Sequence, residues 1–157
     1  RTIAHMSTYS SHCCAVLDDG GVKCWGYNAF GQLGAGDLIW RGMVASDMGN
    51  NLPYVDLGSG RTAVWVSTQD ASSCATLDDG GMKCWGRGQY AAYAYGDNAQ
   101  RGDSIATLGD GLPYVDLGTP GRKATQHAGG KSHMCVLLNN RKLKCWGKGT
   151  YGQLGYG

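Results

Sequence analysis

The sequence contains no glutamate; all twelve of its acidic residues are aspartate. It has one Phe and three Pro in 157 residues. No apolar run approaches the roughly eighteen residues that a membrane-spanning helix requires. Each shortage excludes something. Without Glu, and with other strong helix formers thin, a helical domain has little local support. Without a long apolar segment, no transmembrane helix is expected. No Asn-x-Ser/Thr triplet occurs, so no acceptor for N-linked sugar is present.

Glycine fills the space left by these absences. The 27 Gly, with five Trp and nine Tyr, describe short strands joined by tight turns. An all-β fold is expected, and the length fits one ordinary domain. The net charge of +2 hides an asymmetry. Residues 1–116 carry seven Lys/Arg against all twelve Asp, a net of −5, while residues 117–157 carry seven Lys/Arg and no acid, a net of +7. A basic end can attract nucleic acid or acidic partners. The plainer reading is that one repeat has varied its solvent-facing charges, and aromatic and basic residues do not interleave as a nucleic-acid groove requires. The chain begins at Arg1 without an initiator Met or a signal-like apolar core, as expected of a processed or excised segment.

Internal repetition is the strongest signal. Residues 14–26 (CAVLDDGGVKCWG) recur at 74–86 (CATLDDGGMKCWG) and at 135–147 (CVLLNNRKLKCWG), offset by 60 and then 61 positions, and LPYVDLG at 52–58 returns unchanged at 112–118. Each unit reads as four short strands. In the second, these are a β-rich run at 63–67, two arms at 74–77 and 82–85 around an Asp-Asp-Gly-Gly turn, and a fourth strand at 114–117. Four strands per unit is the content of a propeller blade. The expected organisation is repeat 1 over residues 1–60, repeat 2 over 61–121 and a partial repeat 3 over 122–157. Such a partial propeller cannot close a ring and leaves strand edges to be covered.

These residues resemble the regulator of chromosome condensation repeat, in a cysteine-bearing Cys-Trp-Gly variant that also looks like the repeats of Crinkly-type receptor kinases. The first unit carries His12, Ala15, Asp19-Gly20, Trp25-Gly26 and the NAFGQLG turn at 28–34; the third carries His133, Trp146-Gly147 and GQLG at 152–155. The second unit departs, with Ser72 in place of the His and QYAAYAYG at 89–96 in place of the Gln-Leu-Gly turn. The resemblance implies a β-propeller in which the His, Trp and Gly residues are architectural. It does not specify function, because the family includes exchange factors, enzyme inhibitors, receptor ectodomains and scaffolds.

Six of the seven cysteines form pairs ten residues apart, Cys14 with Cys24, Cys74 with Cys84, and Cys135 with Cys145, each flanking a hairpin turn. Thiols facing each other across neighbouring strands suit a disulfide, and closing each eleven-residue loop stabilises the unit by about 2.8 kcal/mol on the chain-entropy model. An oxidising compartment follows, secreted or another lumen such as the thylakoid's. Metal ligation by His12, Cys13 and Cys14, or by His133 and Cys135, is the competing reading, but the ten-residue spacing is poor for zinc. Cys13 points to the face opposite Cys14. It is either a buried thiol or a cross-link to another chain.

Catalytic signatures are missing. Asp18-Asp19 and Asp78-Asp79 lie in hairpin turns, and Asn139-Asn140 takes the same place in the third unit. Arg101-Gly102-Asp103 spells an adhesion tripeptide, yet Arg41-Gly42 has the same phase, so Arg-Gly belongs to the repeat. Trp25, Trp85 and Trp146 repeat and are expected in the core. Trp40 and Trp65 break the repeat, their equivalents being Gln100 and His5. Aromatics that break a repeat are better interface candidates than those that keep it. The expected function is therefore a non-catalytic protein–protein interaction module, without cofactor, metal or nucleic acid. Its contacts are expected at Trp40, Arg41, Tyr90, Tyr93 and Tyr95. The alternative is a structural or linker subunit of a large complex, with its blade edges covered by neighbouring chains.

Overall fold

The computed structural model describes residues 1–89 and 95–156. Its strands form three separate antiparallel sheets. The first contains β1 (Ile3–Tyr9), β2 (His12–Leu17) and β3 (Val22–Gly26); the second β4 (Ala63–Thr68), β5 (Ser72–Leu77) and β6 (Met82–Gly86); the third β7 (Ala124–Gly129), β8 (His133–Leu138) and β9 (Leu143–Gly147). The register repeats with the sequence. Cys14 lies opposite Cys24, Cys74 opposite Cys84, and Cys135 opposite Cys145. Every first strand has a bulge at the same phase, between Ile3 and His5, Ala63 and Trp65, and Ala124 and Gln126. An extra residue there increases the local twist.

The hairpin turns explain the paired aspartates. Asp19 Oδ1 accepts from the Gly21 N–H at 3.0 Å, and Asp79 Oδ1 from Gly81 at 2.8 Å. The third turn replaces Asp with Asn140, whose Oδ1 accepts from the Lys142 N–H at 3.2 Å. Between these residues the chain enters the left-handed region, at φ +76° for Gly20 and +81° for Gly80.

Alternation along the strands gives each sheet two apolar faces, and the sheets stack through them. Cys14, Val16, Val22 and Cys24 meet Ala63, Ala75, Leu77 and Trp85 of the second sheet. Cys74, Met82 and Cys84 meet Ala124, Met134, Val136 and Leu138 of the third. Polar groups lock the first junction. Trp85 Nε1 donates to the Gln32 carbonyl at 3.0 Å, and Ser73 Oγ donates to that carbonyl at 2.8 Å while bonding His12 Nε2 at 2.9 Å. Burial pulls the His12 pKa down to about 4. His12 and Gln32 thus work as a joint between the first two blades.

The expected fourth strand is reduced to a single contact. Val55 N–H donates to Val22 O at 2.8 Å, and Val115 N–H to Met82 O at 2.8 Å. In the first blade, Lys23 and Tyr54 form an isolated antiparallel bridge. In the second, the Tyr95 hydroxyl is inserted where the ladder would continue. It accepts from the Cys84 N–H at 3.0 Å and donates to the Pro113 carbonyl at 2.8 Å. The fourth segment therefore lies beside its sheet without zipping onto it.

Lysine at the repeated Lys-Cys-Trp phase also ties the blades together. Lys83 is 3% exposed and donates to Leu57 O at 3.0 Å and Gly109 O at 2.8 Å. Its ammonium lies 4.9 Å from the centre of the Tyr114 ring. Burial lowers its pKa, opposed by the charges of Asp110 and Asp56.

Candidate protein-binding face

Beyond β3 and β6 the chain makes two loops with the same internal clamp. Arg41 forms a two-pronged ion pair with Asp37, at 2.8 and 2.6 Å, and Arg101 with Asp97, at 2.9 and 2.8 Å. Each arginine also pairs through its backbone with the last glycine of the third strand: the Gly26 N–H donates to Arg41 O at 2.7 Å, and the Gly86 N–H to Arg101 O at 2.7 Å. The fork of a guanidinium matches a carboxylate, so this contact fixes both loops rigidly. It holds Asp97 down to about 2, and Asp37 below its usual value. Asn28, fully buried, anchors the first loop from beneath by donating to Asp37 O at 2.9 Å and Ile39 O at 3.2 Å.

What the two clamped loops display is different. The first presents Leu38, Ile39, Trp40, Met43 and Val44, all exposed, with Trp40 at 50% and Met43 at 73%. At the same phase the second presents Asn98, Ala99, Gln100, Asp103 and Ser104. Trp40 is propped by Tyr27, with ring centres 4.8 Å apart, and Tyr27 lies 6.4 Å from Phe30. The result is an aromatic and aliphatic patch on a rigid base. Of its members, sequence reasoning found Trp40. Leu38, Ile39, Met43 and Val44 were missed, although each replaces a polar or small residue of the next repeat, and that was the available signal.

The other expected contact residues are placed differently. Arg41 lies beside the patch with its guanidinium engaged by Asp37; its recurrence as Arg101 marks the clamp. Tyr95 is turned inward, its hydroxyl in the second blade and its ring stacked 4.4 Å from the Arg101 guanidinium; burial pushes its pKa up to about 12. Tyr90 and Tyr93 lie outside the described residues. Trp65 lies between blades, stacking on His5 at 3.8 Å and donating to His127 O at 3.0 Å. Asp103 of the Arg-Gly-Asp triplet accepts from Gln100 at 2.8 Å, and Arg101 is bound to Asp97.

All three cysteine pairs are disulfides, with Cα atoms 4.0–4.1 Å apart. Cys13 is a free, half-buried thiol that donates to Thr8 Oγ1 at 3.1 Å. Three disulfides mark an oxidising environment. Among the described residues, no helix is long and apolar enough to cross a membrane.

Comparison with known proteins agrees with this architecture. The regulator of chromosome condensation (RCC1) repeat matches residues 3–32 and 124–153, in the first and third blades. The chain is 31% identical over 159 residues to the ultraviolet-B receptor UVR8 of Arabidopsis thaliana, covering 99% of this chain and 31% of that protein. It superposes on human WBSCR16 with a TM-score of 0.72 at 21% identity, covering 98% of this chain and 36% of the other. On yeast RCC1 (Prp20), in a structure bound to Kap60, the TM-score is 0.70 at 19% identity, covering 100% and 34%. The chain thus spans about a third of the length of these relatives.

Proposed function

The chain belongs to the regulator of chromosome condensation repeat family, and from that premise we propose that it is a non-catalytic protein-interaction module built on disulfide-stabilised blades. One observation carries this reading. Two loops share one clamp, and only the first displays an exposed Leu-Ile-Trp and Met-Val patch. A rigid scaffold with one loop turned apolar is how repeat proteins present a contact surface. Trp and Met are enriched at such contacts, and a contiguous exposed apolar patch marks them. Yeast RCC1 was solved bound to Kap60, which supports protein binding as a use of this fold. On this reading the protein works in a secreted or luminal setting, where its disulfides persist.

The test is the native mass of the protein in extracts of its source, beside the variants Trp40→Ala and Ile39→Asp. The expected result is a complex that both variants dissolve while the disulfides and the fold remain. A complex unmoved by either variant removes the patch as the contact. If that complex falls apart on reduction, the alternative of a structural subunit tied through Cys13 takes its place.

A further inference from the structure

The patch continues along the same face into a site of opposite character. From Trp40 the aromatic series runs through Tyr27 to Phe30, and the Arg87 guanidinium lies 4.7 Å from the centre of the Phe30 ring. Arg87 forms one wall of a cleft of about 640 Å³ between the second and third blades, where Lys131, His133 and Lys148 also line it. Among the described residues of its lining, Asp70 is the acid. We propose that this cleft binds an acidic peptide segment of the protein that docks on the Trp40 patch, an inference that rests on the protein-binding reading above.

Three arguments converge. The first is the placement of charge in the repeat. The turn between the first two strands holds Ser10, Asp70 and Lys131 in successive blades, and the position after the third strand holds Tyr27, Arg87 and Lys148. The framework around these positions is constant, so the charges vary on a fixed scaffold. Cations from two blades face each other only at this junction of the described chain, since the corresponding positions of the first blade are Ser10 and Tyr27. Second, the cations are oriented by aromatic faces. Arg87 stacks on Phe30, and the Lys148 ammonium lies 5.4 Å from the centre of the Tyr151 ring. A guanidinium stacked in this way keeps its N–H edge available to a carboxylate.

The third argument favours a peptide over a bare anion. A small recess of about 30 Å³ shares Asp70, Arg87, Gln89, Lys131 and Ser132 with the cleft and is also lined by Gln69. Gln69 is 1% exposed, and its amide oxygen has no hydrogen-bond partner. A buried acceptor left unpaired is costly and calls for a donor. A peptide supplies both groups: backbone N–H for the Gln69 oxygen, and carboxylates for Arg87, Lys131 and Lys148. A deoxyribose–phosphate backbone supplies charge without that donor, and inorganic phosphate supplies its charge and its O–H on one small group that cannot span from Gln69 to Lys148 as a peptide does.

The experiment uses the full chain and fluorescence anisotropy with three labelled probes: a decapeptide of Asp and Glu, its Asn and Gln counterpart, and a single-stranded DNA of ten thymidines. The acidic peptide is expected to bind and its neutral counterpart to fail. Lys131→Glu with Lys148→Glu should weaken the acidic peptide at least tenfold, and Gln69→Leu should weaken it less, with the thermal unfolding temperature checking that each variant folds. Excess inorganic phosphate is expected not to displace the peptide. Equal binding of the two peptides, an unchanged affinity in the charge-reversed variant, or displacement by phosphate overturns the proposal. Tighter binding of the oligonucleotide, lost in the same variant, replaces it with a nucleic-acid site. Trp40→Ala should leave the short acidic probe unaffected. Failure of the cleft with the Trp40-dependent complex intact therefore leaves the protein-binding reading standing, and failure of that complex with the cleft intact does the reverse.

Discussion

The second and third hairpins share a register, a disulfide and a Lys-Cys-Trp-Gly arm, yet they occupy different environments. In the second, β5 and β6 are buried along their whole length. In the third, β9 is nowhere fully buried, and Leu143 is 69% exposed where Met82 is 0%. The motif therefore fixes the hairpin, whereas burial comes from the blade stacked on either side. Stability in such an array is a local term plus a neighbour term. The two hairpins separate these terms, because the first is nearly constant between them and the second is not.

The largest expected difference lies in the tryptophans. Trp85 is fully buried and donates to Gln32 O, so Trp85→Ala should cost about 3–5 kcal/mol. Trp146 is only partly buried, and Trp146→Ala should cost about 1–2 kcal/mol on the area it covers. Urea unfolding of the two variants measures the gap. Equal losses would mean that the tryptophan serves its own hairpin rather than its neighbour.

The disulfides sharpen the same point. Each closes an equal loop, so the chain-entropy contribution of about 2.8 kcal/mol is common to both. Access is not, since Cys74 and Cys84 are 0% exposed and Cys145 is partly open. Under limiting dithiothreitol, Cys135–Cys145 should be reduced first, as followed by alkylation and mass spectrometry. Simultaneous reduction would show that the blades open together.

Much of this was legible in the sequence, because the repeat exposes its own framework. The cysteine pairs and the hairpin turns recur at fixed phase, and each recurs in the fold; of the three repeated tryptophans expected in the core, Trp85 is fully buried while Trp25 and Trp146 are only partly so. What escaped were contacts between units, which phase alone cannot display. Gln32 was visible as part of a motif, but not as the residue whose carbonyl receives Trp85 and Ser73 of the next blade. Lys83 is charged and yet a buried strut, a role that its place in the repeat does not announce. Tyr95 recurs as Tyr156 in the third unit, whereas Trp40 has no counterpart, and packing separates them further: the Tyr95 hydroxyl finds backbone partners inside the blade, while the Trp40 indole stands half-exposed on its loop. Trp65 broke the repeat as well and fills space between strands. The fourth strand was over-read because the segment bonds its sheet at one point in each of the first two blades. In the second the Tyr95 hydroxyl takes the Cys84 N–H, and in the first, where Ala35 holds that phase, pairing still stops at the Lys23–Tyr54 bridge.

Tyr95 supplies the next test. Its hydroxyl satisfies the Cys84 N–H in a buried strand, and Tyr156 makes the same contact to the Cys145 N–H at 2.9 Å in an exposed one. Tyr95→Phe leaves a buried donor unpaired and should cost about 1–2 kcal/mol. Tyr156→Phe admits water to the vacated site and should cost less than about 0.5 kcal/mol, because a surface change away from special features is nearly neutral. Amide exchange reads the two sites directly, with Cys84 losing protection in its variant and Cys145 changing little.

One further effect reverses sign and bears on the local term. Arg141 takes the turn position that Gly20 and Gly80 hold in the other hairpins, at φ +65°. A side chain in the left-handed region is strained by about 1–2 kcal/mol, partly offset by the greater chain entropy that glycine loses on folding. Arg141→Gly should therefore stabilise the third hairpin by about 1 kcal/mol, while Gly80→Ala should destabilise the second, where a Cβ would lie 2.7 Å from the Lys123 side chain. Gly80→Ala presses on Lys123 of the next blade, but Arg141 is exposed at its turn, so a gain from Arg141→Gly that survives Trp146→Ala unchanged would show that hairpin and neighbour terms add independently. A gain that vanishes would show that the third turn is held in its strained form by the packing around it.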